Sequence, residues 1–189
     1  MPAADARKMN YDDVSIYPLD EPKIERLLQL QSECAVLWTT KDGWPMGVMH
    51  RFVFSDGKFW VTCARQRKRV PALRARDKSA VIVTSEGTVL GRDQTLTVKC
   101  RAIVHDDNPA VKGWFYRALA MKLNNGDEQR AAAFQQFLDT PARVIIELVP
   151  TKWITYDGVK VAAHVAGQWQ PDEPWVQELP PAPDWMADV

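Results

Sequence analysis

Between Thr95 and Val104 the chain alternates with a strict period of two. Leu96, Val98, Cys100, Ala102 and Val104 take turns with Thr95, Thr97, Lys99, Arg101 and Ile103. Successive side chains of a strand point to opposite faces, so this pattern describes a long strand with one face dry and the other mostly wet. Such a strand needs neighbours, and the chain supplies several. CAVLWTT (34–40) is a continuous apolar run that ends at a strong turn signal, Asp42-Gly43. Met46 to Phe54 and Lys58 to Cys63 follow, joined by Ser55-Asp56-Gly57. Then come Ser79 to Thr84, and late in the chain Arg143 to Val149 and Lys152 to Tyr156. Six or seven strands in meander order, mostly antiparallel, predict an α+β fold with a small barrel.

Helical signals surround these strands. Asp20 is a good N-cap with Pro22 in the first turn, and Ile24, Leu27, Leu28 and Gln31 keep helical spacing to about Glu33. Asn108-Pro109 opens a helix with Val111, Trp114, Phe115, Ala118 and Leu119 on one face, which stops at Asn124-Asn125-Gly126. A second carries Ala131, Phe134, Phe137 and Leu138 and ends before Thr140-Pro141.

The flanks differ from this body. Residues 1–19 lack periodicity and read as an N-terminal arm, leaving 20–160 as the folded domain. From 161 to 189 there is no Lys or Arg, while five acidic residues, five prolines and three tryptophans (Trp169, Trp175, Trp185) appear. Disordered tails are poor in aromatics, so this segment is expected to lie as an extended arm across the body or a partner subunit.

The 24 basic and 24 acidic residues cancel, which argues against a general nucleic-acid binder. Cys34, Cys63 and Cys100 are odd in number, far apart and set in apolar runs, so they read as reduced core thiols. The start, MPAADARKMNYDD, lacks the apolar segment of a signal peptide, and no run approaches the ~18 apolar residues of a membrane span. A soluble, cytoplasmic protein without nucleic-acid or membrane partners is expected. No Walker loop, G-x-G-x-x-G or G-x-S-x-G is present. His50, His105 and His164 have no H-E-x-x-H or C-x-x-C company, so no metal site is indicated, and His105 reads as a surface turn residue.

The positive charge is local. TCARQRKRVPALRARDK, Thr62 to Lys78, carries seven basic residues from Arg65 onward. A strand that ends in a polar loop and turns into a helix at Pro71 is a natural anion site, with Arg67 and Lys68 beside the helix start. Arg74, Arg76 and Lys78 read as a solvated face.

On these residues the chain resembles a known family. The order is a helix, CAVLWTT, a turn, GWPMGVMHRFVF, DGKFWVT, a basic Arg-Lys with a leucine five residues on, then RDKSAVIV, LTVKCRAIVHDD and PARVIIELVPTKWITYD. Over roughly residues 20–160 this is similar to the pyridoxamine 5′-phosphate oxidase-like, FMN-binding split β-barrel family. The resemblance implies a homodimer with a cofactor in the groove between subunits: FMN, or in one branch the deazaflavin coenzyme F-420. By resemblance Thr62, Arg67 and Lys68 would hold the cofactor phosphate, and Met49, His50 and Arg51 would lie near the ring. Gln94 to Thr97, taken at Gln94 and Thr97, would approach its polar edge. Cys100 stands where relatives carry Gly, and the Arg-Gln-x-Arg pattern of true pyridoxamine phosphate oxidases is missing, so pyridoxal phosphate synthesis is not expected.

The expected function is flavin- or deazaflavin-dependent reduction of a small conjugated substrate. The cofactor carries the hydride chemistry, so no protein nucleophile is needed, and His50 is a candidate to tune the ring or donate a proton. The alternative is a ligand-binding barrel that does not turn over.

Overall fold

The computed structural model describes residues 13–183. Six strands form a closed barrel: β1 (Glu33–Thr39), β2 (Pro45–Ser55), β3 (Lys58–Ala64), β4 (Lys78–Thr84), β5 (Gln94–His105) and β6 (Arg143–Asp157). Five α-helices accompany them: α1 (Glu21–Leu30), α2 (Arg69–Ala75), α3 (Pro109–Leu123), α4 (Glu128–Leu138) and α5 (Gly158–Val165). This is an α+β split barrel, with every strand pair antiparallel. The order β1-β2-β3-β6-β5-β4 joins two meanders, and the β1–β4 pairing closes the ring.

The two late strand segments prove to be one. β6 runs unbroken past Pro150, because its pairing with β5 shifts by one residue between Lys99 and Cys100, which face Lys152 and Pro150. A bulge absorbs the residue between them. The ladder from β3 has already ended at Leu148, so the missing Pro150 N–H disrupts nothing on that side. Two helix boundaries also differ from expectation. α1 ends at Leu30, because Glu33 is already paired with Arg51 in the β1–β2 ladder. α2 begins at Arg69, two residues before Pro71, which still falls among first-turn positions that lack a helical N–H partner.

The alternation in β5 is realised as read: Leu96, Val98, Cys100 and Ala102 are buried. They join Val36, Phe52, Phe59, Val61, Leu73 and Ile146 in the barrel interior. A second cluster lies outside the barrel wall. There Phe115, Tyr116 and Leu119 of α3 and Leu138 of α4 cover Val53, Trp60 and Ile145. α3 and α4 therefore roof one side of β2, β3 and β6, and that roof later shapes the site.

β3 pairs only with Phe52–Ser55 of β2 and with Arg143–Leu148 of β6. The first half of β2 and the last half of β6 have no strand between them, which is the split. Exposed apolar side chains collect on these two segments: Met46 and Met49 on β2, Trp153 and Ile154 on β6.

Both flanks are tied to the body where they are described. Residues 1–12 and 184–189, including Trp185, lie outside the described residues. Within 13–19, Tyr17 is fully buried, its carbonyl accepting from Asp157 N and its hydroxyl hydrogen-bonded to His164 Nδ1 at 2.7 Å. α5 straddles residue 160, so the tail begins as a helix rather than an extended strand. Trp169 is buried against Tyr17 and Ala163, Trp175 packs on Trp169, and Leu179 touches the main core. His105, read as a surface turn residue, instead ends β5, stacks on Trp60 and contacts Glu147 Oε2 through Nε2 at 2.8 Å. No described helix is long and apolar enough to cross a membrane.

Candidate functional site

The basic stretch splits into three groups once folded. Arg65 and Arg74 both bind Asp106, and Arg76 donates from Nε to the Thr39 carbonyl at 3.0 Å. These charges are already spent inside the fold. Lys68 lines a shallow apolar depression with Trp38, Met46, Pro71, Ala72 and Arg76. Arg67 and Arg69 turn the other way, into a cavity of about 240 Å³ at the end of β3.

That cavity is built from three strands and a helical roof. β2 contributes Met49, His50 and Arg51; β3 contributes Thr62 and Cys63; α3 and α4 close it with Leu119, Leu123, Phe134 and Leu138. Arg143 completes it from β6, because the β3–β6 register sets Arg143 opposite Ala64 at the strand end. Among the described residues Arg67, Arg69 and Arg143 make no ion pair with a carboxylate, and the Nε of Arg69 is buried without a hydrogen-bond partner. Three guanidiniums around one small cavity repel one another unless an anion joins them. Arg51, by contrast, is held by Glu33 at 3.0 Å and by Ser32 Oγ at 2.6 Å.

Thr62 anchors the wall. Its hydroxyl donates to the Val144 carbonyl at 2.9 Å, accepts from Arg143 Nε at 3.3 Å and lies 3.3 Å from the Tyr116 hydroxyl. His50 is buried, and its Nε2 has no partner among the described residues. Burial, reinforced by the Arg69 and Arg143 charges, pushes the His50 imidazole down to about 4, against a backbone hydrogen bond with Thr62 that favours the charged form. It is neutral at pH 7. Burial also raises the Cys63 thiol, against the pull of the Arg69 charge and hydrogen bond and of Arg143 and Arg67.

Of the eight residues singled out in the sequence, the cavity gathers Met49, His50, Arg51, Thr62 and Arg67. Lys68 faces the neighbouring depression instead. Gln94 and Thr97 do not line the cavity. Gln94 is fully buried, donating from Nε2 to the Leu90 carbonyl at 2.9 Å, and Thr97 sits in β5 between Ile82 and Ile154. Two charged cavity residues went unassigned from sequence, Arg69 and Arg143. Arg69 was hidden among its basic neighbours, and Arg143 comes from a strand some eighty residues away. Among the described residues no group of three His, Cys, Asp or Glu is placed to hold a metal ion.

Neither a protein-family model nor a curated protein matches the chain. Solved structures do. A conserved hypothetical protein from Mycobacterium tuberculosis superposes with a TM-score of 0.65 at 13% identity, covering 78% of this chain and 91% of that one. A structure named F420 reductase matches with a TM-score of 0.52 at 21% identity, over 69% of this chain and 94% of its own. A putative pyridoxamine 5′-phosphate oxidase from Listeria innocua matches at 0.53 and 15% identity, over 71% and 95%. At these identities the likeness is one of fold: the chain is built as a split barrel like theirs.

Proposed function

We propose that the protein binds a flavin-type cofactor, FMN or the deazaflavin F-420, and uses it to reduce a small conjugated substrate. The observation that carries this reading is the group of three arginines, Arg67, Arg69 and Arg143, around one cavity of a split barrel, none of them ion-paired among the described residues. They fit a phosphoryl group, which accepts several charged hydrogen bonds at once. The orphaned Nε of Arg69 finds its acceptor in such a ligand. An F420 reductase and a putative pyridoxamine phosphate oxidase share the fold, which supports the choice of cofactor class.

The cavity's size limits what enters it. About 240 Å³ is below the ~300–1,000 Å³ of pockets that enclose a whole drug-sized ligand. The cavity would hold the phosphoryl end, and the ring would be left to the surface beside it, where Met49 is exposed. In this reading the split presents its exposed side chains, Met46, Met49, Trp153 and Ile154, to a second copy of the chain. A homodimer would bury those side chains and form the other wall of the ring site.

The bound cofactor supplies hydride transfer at its ring. The chain's part is to hold and position. Arg67, Arg69 and Arg143 would hold the phosphoryl end, Thr62 braces Arg143, and α3 and α4 give the cavity an apolar wall.

The deciding experiment is a visible absorbance titration of the purified protein with FMN and, separately, with F-420, followed by reduction of candidate substrates by the reduced complex. Saturable binding of one cofactor with turnover supports the oxidoreductase reading. Binding without turnover makes the protein a carrier or sensor, and binding of neither overturns the proposal.

A further inference from the structure

Three lysines are buried among the described residues, and two of them have a counter-ion there. Lys23 pairs with Asp157 at 2.6 Å and Lys160 with Asp20 at 2.8 Å. Lys122, in the last turn of α3, has no Asp or Glu of the described residues within ion-pair distance. Its ammonium donates to the Leu28 carbonyl at 2.9 Å and rests over the Phe52 ring. Buried lysines are rarely left without an anion, and an ammonium has three N–H groups to place. The same lysine lines a cavity of about 600 Å³ bounded by α1, β2, α3 and α4, within the ~300–1,000 Å³ of small-molecule sites. No Asp or Glu lines it, and Leu30, Leu123 and Phe134 give it an apolar wall. Arg51, the other lining cation, is offset by Glu33 at 3.0 Å. One unbalanced positive charge remains, which matches a monoanion better than a phosphoryl dianion.

We propose that this cavity binds a small aromatic carboxylate, with one carboxylate oxygen accepting from Lys122 Nζ and the ring packed on Leu123 and Phe134. Arg51 has five N–H groups and holds only Glu33 and Ser32 Oγ, so donors remain for the second oxygen. The site goes beyond the cofactor reading and does not depend on it. The arginine cavity at the end of β3 shares Arg51, Leu123 and Phe134 with it, so the two must be told apart. Titration does so. The arginines are permanently cationic, whereas burial pulls Lys122 down to about 7. A carboxylate bound to Lys122 holds the proton on it, so affinity is full below pH 7 and falls above. Facing Lys122 are the Cys34 thiol of β1, raised to about 12 by burial, and the Glu33–Arg51 pair joining β1 to β2. α1 presents the Leu28 carbonyl and Gln29, whose Oε1 is taken by Arg26 Nε at 2.9 Å, and α4 presents Phe134.

The test compares trans-cinnamate with cinnamamide, its uncharged amide of the same shape, by calorimetry on the full chain. At about pH 6.5 cinnamate is expected to bind at least about tenfold more tightly. From about pH 7 to 9 its affinity should fall by up to about tenfold per unit, with proton uptake approaching one per ligand. Lys122→Met should weaken cinnamate by about tenfold or more and abolish that slope, while Arg143→Ala should stay within about threefold of the wild type. The wild-type contrast between acid and amide, and its pH profile, decide the matter even where Lys122→Met folds poorly. Cinnamamide binding as well as cinnamate, or a flat wild-type profile, overturns the inference. So does a loss in Arg143→Ala equal to that in Lys122→Met, which would put the acid among the three arginines. Failure of cinnamate to bind at all overturns it too, and leaves the cofactor reading to its own titration.

Discussion

Arg143 donates from Nε to the Thr62 hydroxyl at 3.3 Å, across 81 positions of sequence, and that hydroxyl in turn donates to the Val144 carbonyl at 2.9 Å. The guanidinium is thereby fixed at the strand end beside Arg67 and Arg69, with no carboxylate among the described residues paired to it. Arg143→Ala or Arg69→Ala should therefore weaken FMN binding by the ~1.5–3 kcal/mol of a charged hydrogen bond, roughly 10- to 150-fold. Arg74→Ala, whose charge is spent on Asp106, should leave binding within about threefold. A fluorescence titration of FMN compares the three. Equal losses at Arg74 and Arg143 would mean that only the net charge of the region matters.

Acid should unfold the protein partly through His50. Its folded pKa, about 4, lies below the 6.5 of an exposed histidine, because burial disfavours the imidazolium. The unfolded chain binds the proton first, so stability is fully present above about pH 6.5 and falls as pH drops toward 4. The loss approaches ~3 kcal/mol. Urea midpoints measured across this window should show the decline in the wild type and a shallower one in His50→Gln. An unchanged slope in the variant would assign the acid sensitivity elsewhere.

Why the sequence revealed some of this and not the rest is a matter of range. Period-two alternation in β5 and the apolar run of β1 record burial locally, residue by residue, so the barrel could be read directly. Pro150 misled, splitting β6 in two, because a proline is a breaker only where its N–H is needed, and that depends on where the β3 ladder stops. The anion cavity was half legible. Arg67 and Thr62 stand next to a strand end, but Arg143 reaches them only through the β3–β6 register, which no local pattern encodes. Lys68 was singled out with Arg67 for its place beside the helix start, yet neighbouring residues on a turn face apart, and its side chain lines the depression beside Trp38. Gln94 is buried, with Nε2 donating to the Leu90 carbonyl and Oε1 without a partner among the described residues.

Lys122 should make the protein more stable as pH rises from 7 to 9. Its ammonium is buried, donates to the Leu28 carbonyl at 2.9 Å and lies 4.0 Å from the centroid of the Phe52 ring. Burial pulls its pKa down to about 7, so between that value and the usual 10.5 the unfolded chain holds a proton the folded chain has released. Stability therefore increases with pH, by up to ~1.4 kcal/mol per unit. Above about pH 9 the buried Cys34 and Cys100 thiols, both raised to about 12, pull the other way, since the unfolded chain ionises them first. Lys122→Met should remove the rise between 7 and 9. A wild-type curve flat over that range would show that the cation is solvated by opening of the α3 end.

Lys23 and Asp157 form an ion pair at 2.6 Å, with both side chains almost completely shielded from water. Asp157 also caps α5, its Oδ1 accepting from Val159 N and Lys160 N. Asp157→Ala removes cap and counter-ion together and strands the Lys23 ammonium, so a loss of about 3–5 kcal/mol is expected. Asp157→Asn keeps an oxygen for the cap and isolates the charge, and it should still cost most of that sum. Lys23→Met combined with Asp157→Asn should recover much of the loss, because no unpaired ion is then left in the interior. Urea unfolding of Asp157→Asn, of Lys23→Met alone and of the double variant reads the coupling between the two sites directly. If the double variant lost the sum of the single losses, the pair would be two independent contacts, and the tie between α1 and the end of the barrel would rest on the neighbouring Lys160–Asp20 contact instead.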